Sequence, residues 1–218
     1  FIDTYIKNIL SITNWLMDSY DVRRDINIYI LLCPLEKTFN LKKINLQRFP
    51  YLAWTHDMQD DELTPLHINS GVSWENNIFI YRTQDFYKVL LHELVYNLNL
   101  DLQEYEKQLH HKITFYVGNN TILINEAYAE YLALIFVNFI NLLCLNQLNN
   151  SNFIKAVENE MAHQLNLCNK LFKYYGIKEK NLFLHKNRLK QSTNAFSYIY
   201  IKFIIMKQLP FDIINKDI

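Results

Sequence analysis

Residues 83–100, TQDFYKVLLHELVYNLNL, are the stretch that most constrains what this chain can fold into. Their apolar positions recur at helical spacing, which predicts one amphipathic helix. Thr83 suits the N-cap, and Asp85 falls in the first turn, where a negative charge is favoured. The helix follows directly on NNIFIYR (76–82), in which Ile78 and Ile80 alternate with Phe79 and Tyr81. That alternation predicts a short strand with two apolar faces, so a strand running straight into a helix is expected at the centre of the fold.

The remaining segments arrange themselves around this unit. Ile2, Ile6, Ile9, Ile12 and Leu16 predict a first helix over 2–19, and INIYILLC (26–33), stopped by Pro34, predicts a buried strand. From Glu36 to Pro65 the periodicity fades into a long loop, with one short strand near Tyr51–Trp54. LHINSGVS (66–73) and HHKITFYVGNN (110–120) predict further short strands. Helices follow over about 122–147, capped by Thr121 or Asn125, over 152–175, ended by Gly176, and over 192–208, ended before Pro210. The order predicts an α+β fold: a small N-terminal sheet with its central helix, then a mainly helical C-terminal half. A chain of 218 residues without a linker is expected to be a single domain, residues 1–120 its α+β part and 121–218 its helical part.

Composition narrows the function classes. Lys+Arg and Asp+Glu balance at 22 each, which gives no electrostatic case for a nucleic-acid partner. Half the residues are hydrophobic, which argues against disorder. Tyr131–Leu145 is very apolar but short and broken by Asn138 and Asn141, so a buried helix is expected rather than a membrane span. FIDTYIKNIL lacks a basic flank and a cleavage site, so an intracellular rather than a secreted protein is expected. Cys33, Cys144 and Cys168 are too scattered for a disulfide framework and are expected to be reduced core residues.

The central helix carries His92-Glu93-Leu94-Val95-Tyr96. This is the zinc-peptidase pattern H-E-x-x-H with tyrosine in the second histidine's place. Positions four apart share a helix face, so two imidazoles there can grip one Zn²⁺, while the adjacent glutamate acts as base toward its water. Downstream, Asn125-Glu126-Ala127-Tyr128-Ala129-Glu130 sets two carboxylates four apart at the start of an apolar helix, continued by Ala133, Leu134 and Val137. Either those carboxylates are buried and need a partner, or they sit exposed in the first turn and favour the helix dipole.

A glutamate helix downstream of an H-E-x-x-(H) helix resembles the gluzincin metallopeptidases. HINSGVS (67–73), IFIYRTQDFYKVLLHEL (78–94), NLNLDL (97–102), NEAYAEYLALI (125–135) and TNAFSYIYIK (193–202) also resemble a zincin-like metallopeptidase family of large nucleocytoplasmic DNA viruses. The resemblance implies a zincin-like fold with His92 as zinc ligand, Glu93 as general base and Glu126 as carboxylate ligand. It implies that Glu130 orients His92 through the ring's other nitrogen. Tyr96 departs from the pattern, since a neutral phenol is a poor Zn²⁺ ligand. It either binds as phenolate, or hydrogen-bonds a metal-bound water, or yields its place to His67, His110 or His111, or leaves the site dead. Tyr198 is either an oxyanion donor or, with Phe196 and Tyr200, a packing aromatic. His163 is expected at a solvated helix position, and His185 at the surface or as a satisfied core histidine.

The expected function is that of a zinc metallopeptidase-like protein with a degenerate centre, its peptide-bond hydrolysis weak or lost. The alternative is an inactive structural or interaction protein, virion-associated if viral. Partners would be a peptide substrate or a viral protein, in host cytoplasm or virion. A metal-free carboxylate site ranks last, because no substrate is implied.

Overall fold

The computed structural model describes residues 2–31, 70–101, 116–117, 120–121, 123–176, 178 and 194–208. The expected loop over 36–65, the strand near Tyr51–Trp54, and His67, His110, His111 and His185 lie outside them.

Helix α1 spans Ile2–Ser19. Its stripe is buried from Ile9 through Ile12 to Leu16, whereas Ile6, one turn earlier, lies beyond the core's edge at 48% exposure. Strands β1 (Asn27–Ile30), β2 (Gly71–Trp74) and β3 (Asn77–Ile80) form a sheet in the order β1-β3-β2. β1 runs parallel to β3 with Ile28 opposite Ile78, and β2 runs antiparallel to β3 with Gly71 opposite Ile80. The turn between β2 and β3 uses Glu75 at φ 54°.

One face of this sheet, through Ile78 and Ile80, is buried against α2 (Phe86–Asn97). Among the described residues, nothing covers the other face. β1 is therefore an exposed edge strand, not the buried strand its apolar run predicted: Tyr29 and Leu31 are half exposed, and Tyr29 stacks on Phe79 at 4.7 Å. A continuous apolar run reads as burial on both faces, but no described element covers the outer one.

Helix α2 is shorter than residues 83–100. Asp85 stands at φ 56° and carries no side-chain cap bond, so the left-handed residue delays the helix start and Thr83 is not the N-cap. Asn99, at φ 55°, closes the other end in the left-handed position more often taken by glycine. Leu90, Leu91 and Leu94 are fully buried between the sheet, α1 and the next long helix, and Val95 is fully buried as well. Each such side chain contributes about 1.5–3 kcal/mol relative to exposure.

The residues expected to form a strand over 110–120 contribute the two-residue strands β4 (Tyr116–Val117) and β5 (Asn120–Thr121), which pair antiparallel. Helix α3 spans Ile124–Cys144 with Leu123 at its N-cap, in place of Thr121 or Asn125. The Leu123 N–H donates to Ser197 Oγ at 3.1 Å, so a distant side chain does the capping. By length and composition α3 could also cross a membrane, though it packs on α2. Helix α4 spans Asn150–Tyr175; the Asn149 side chain accepts from the Asn152 N–H, and Gly176 ends it at φ 63°. A π-helical turn, Ser197–Ile201, leads into α5, Lys202–Gln208. Two further apolar clusters join these helices, one around Phe172 and Phe196, the other around Leu134, Phe153, Val157 and Met206. Cys168 belongs to the first, whereas Cys144 is exposed and not the core residue expected. The architecture is α+β, with most helix in the second half.

Gly71 fixes how closely β2 lies on α2. A Cβ there would meet Val89 Cγ1 at 2.8 Å, with Glu93 Oε1 and the Phe79 carbonyl at 3.1 Å. Gly71→Ala is expected to destabilise the protein by about 1–3 kcal/mol, the usual cost of overpacking; urea unfolding of both proteins measures it.

Candidate functional site

Three helical stripes meet at one place. On α2, Lys88, His92 and Tyr96 follow one another at intervals of four and therefore share a face. On α3 the same interval joins Glu126 and Glu130. Asn194, Tyr198 and Lys202, also four apart, come from the last helical segment, where the π-turn sits.

His92 is 8% exposed and Glu93 7%. His92 Nδ1 lies 3.3 Å from Glu130 Oε2, and its Nε2 lies 3.7 Å from Glu126 Oε2. Glu130 Oε1 takes Lys88 Nζ and, at 3.1 Å, Lys202 Nζ. Asn194 Nδ2 donates to Glu126 Oε1 at 3.0 Å. The Tyr96 and Tyr198 rings stand edge-on to the imidazole, with centroids 5.2 and 5.8 Å away. Glu93, beneath β2, is bonded to the Ser73 side chain.

The glutamates are therefore buried and partnered, not displayed in an exposed first turn. Tyr198 faces the cluster, whereas Phe196 and Tyr200 pack on Phe172. His163 is exposed on α4, as expected. Lys88, Asn194 and Lys202 were not singled out by motif; the interval of four from His92 and Tyr198 is the signal that points to them.

The π-turn that presents Tyr198 is braced from α4. Gln164, 1% exposed, donates to the carbonyls of Tyr198 at 3.1 Å and Ile199 at 2.7 Å. Wider winding leaves carbonyls without their α-helical partners, and a buried amide satisfies two of them. Beside Tyr96 opens a polar pocket of about 330 Å³, whose walls include Arg24, Trp74, Glu75, Asn97 and Asn99. Asn97 ties it together, accepting from Arg24 at 2.8 Å and donating to the Glu75 carbonyl at 2.7 Å.

Burial and charge set the protonation states. Burial alone would lower the His92 pKa, but contact with Glu130 and the charges of Glu93, Glu130 and Glu126 outweigh it, and the net shift is upward from 6.5. Burial would raise Glu130, yet Lys202, Lys88 and His92 hold it well below 4.5. Lys88 is desolvated, but Glu130 carries its value above 10.5. Glu93 is raised from 4.5, mainly by burial. Burial, together with Glu126, pushes both Tyr96 and Tyr198 far up, so both are neutral phenols.

The donor set can now be compared with a zinc centre. Two donors each about 2.0–2.1 Å from one tetrahedral ion lie about 3.3 Å apart. The 3.7 Å between His92 Nε2 and Glu126 Oε2 is close to that and long for a hydrogen bond. Glu126 Oε2 is also buried without completing a hydrogen bond, as are Tyr96 Oη and His92 Nδ1, whose 3.3 Å contact with Glu130 is a charge contact. Two donors therefore fit. The third does not, because Tyr96 fills its position as a neutral phenol, and among the described residues no three His, Cys, Asp or Glu side chains are placed to hold one metal ion. A catalytic zinc takes three protein ligands, and the described residues do not supply them.

The chain matches no protein-family model, no curated protein and no solved structure.

Replacing Glu130 would leave two buried ammonium groups facing a neutral side chain. Glu130→Gln is expected to cost about 3–5 kcal/mol, the usual penalty for breaking a buried ion pair, read from urea midpoints against wild type. The pH dependence has a definite sign. With its native value raised, His92 contributes stability that is complete below about pH 6.5 and is lost as pH rises through that native value. Glu93, raised for a different reason, acts in the same direction from about pH 4.5 upward. Glu130, with its value lowered, contributes above about pH 4.5 and is lost below it. The melting temperature is therefore expected to fall as pH rises above about 6.5, and His92→Gln to flatten that limb; a scan of both proteins tests it.

Proposed function

We propose that this protein is zincin-like: a relative of zinc metallopeptidases whose metal centre is degenerate and whose peptide-bond hydrolysis is weak or lost. One observation carries the reading. A single imidazole turns its Nε2 toward a glutamate on the second helix and its Nδ1 toward another glutamate one turn on, at 3.7 and 3.3 Å. That is the division of labour expected of a metal-ligating histidine and the carboxylate that orients it. Glu93 beneath β2 and the strand-to-helix passage from β3 to α2 agree with the reading; Tyr96 in the third ligand's place accounts for the loss.

If the group were bound, His92 and Glu126 would be its protein ligands and Zn²⁺ would polarise a scissile carbonyl. The chain's own residues divide the remaining work. Glu130 fixes the imidazole, Asn194 fixes Glu126, and Glu93 is the buried carboxyl available to move a proton.

A second reading, an inactive protein that keeps the fold to bind another protein, draws on the outer sheet face. There Tyr29, Leu31, Val72 and Trp74 are all at least half exposed, an apolar patch of the kind that marks contact surfaces.

Elemental analysis of the purified protein tests the first reading. Wild type is expected to carry far less than stoichiometric zinc, and Tyr96→His to take up measurable zinc, because a second imidazole one turn from His92 completes three donors. Failure of folded Tyr96→His to bind any zinc would count against the proposal. Zinc uptake without cleavage of unstructured protein substrates would favour the binding role.

A further inference from the structure

We infer that Lys88 and Lys202 oppose a divalent cation at this centre, so that Tyr96 is not its only defect. The inference rests on the metallopeptidase-like reading and adds to it a second, electrostatic cause of metal loss.

A carboxylate behind a metal-ligating histidine works by leaving its negative charge to the imidazole, which becomes a better donor. Here that charge is claimed elsewhere. Lys88 and Lys202 converge on the same oxygen of Glu130, with side chains 22% and 4% exposed against 12% for the carboxylate. Two ammonium groups on one carboxylate leave the trio with a net charge of +1. Its other oxygen lies only 3.3 Å from His92 Nδ1. A dication between His92 Nε2 and Glu126 would therefore sit across one imidazole ring from an excess positive charge. Water screens it little, because all three partners are largely buried.

Placement makes both lysines part of the site and not bystanders. Lys88 precedes His92 by one turn on the same face of α2, and Lys202 follows Tyr198 by one turn beyond the π-turn. The positive charge a metal would bring is thus already present, held in covalent side chains. Glu126 and Glu93 supply negative charge on the metal's side, and Asp85 and Glu160 act on Lys88 from its own side.

Zinc affinity separates this cause from Tyr96. The full chain is prepared as Tyr96→His alone, and with Lys88→Gln, Lys202→Gln or both added; glutamine removes the charge but keeps an amide able to donate to Glu130. Zn²⁺ affinity is measured by competition with a chromophoric chelator at one pH, with thermal melting to establish that each protein is folded. Each lysine replacement is expected to tighten zinc binding by about tenfold to a hundredfold over Tyr96→His, the scale on which groups behind a ligand act. Lys88→Arg, which keeps the charge, is expected to give no gain. If the double glutamine variant unfolds, the two single replacements decide the question alone. Equal affinity with and without the lysine charges would overturn the inference while leaving the metallopeptidase-like reading in place. Folded variants that all refuse zinc would overturn that reading, and the inference with it.

Discussion

Glu130 is the residue on which the rest of the cluster depends. A lone carboxylate so deeply placed would be costly, and it is tolerated because two ammonium groups and an imidazole converge on it from two other helices. These contacts tie α2 and the last helix to α3 across sequence separations of about 40 and 70 residues. Charge pairing of this kind does more to select one arrangement of the helices than to add stability, since apolar side chains of similar volume could stabilise as much.

The apolar framework supplies what charge cannot. The inner sheet face and the helices around α2 bury most of that helix, so Lys88 and His92 find partners on α3 while Glu93 and Asn97 find theirs toward β2 and the turn after it. Gly71 lets β2 approach closely enough for Glu93 to lie beneath the strand, within reach of Ser73. Asn194 and Ser197 then anchor the start of α3 from the far end of the chain. The same segment thus grips both glutamates and accepts from the N–H of Leu123, an N-cap residue whose own side chain makes no cap bond.

Much of this is legible from residue order. The β3–α2 unit and the long helices follow from periodicity, whereas the pairing of His92 with Glu126 and Glu130 is implied only by the gluzincin resemblance, because spacing and burial cost leave an exposed first turn equally open. The element ends were less legible, because Asp85 and Asn99 take left-handed conformations that residue type only weakly favours. The openness of β1 was hidden because an apolar run does not say which neighbour covers it. The lysines escaped notice for a simpler reason: nothing local distinguishes a buried ammonium from the other basic residues, and only the partner carboxylate makes it affordable. The interval of four running through 88, 92 and 96 and again through 194, 198 and 202 holds that information, but it becomes pointed only once the three stripes are known to face one another.

The π-turn at Ser197–Ile201 has a consequence for how this protein can vary. Such a turn is an α-helix carrying one residue in excess, with the surplus absorbed where Gln164 receives the displaced carbonyls. Deleting a single residue there would restore regular winding and leave α5 showing the same face, because the surplus is taken up within the turn. Lys202 would keep Glu130 and Asn194 its hold on Glu126, but the Gln164 amide would lose the carbonyls it now serves. A buried amide without acceptors is costly. Relatives one residue shorter between positions 194 and 202 would therefore be expected to carry an apolar side chain at position 164.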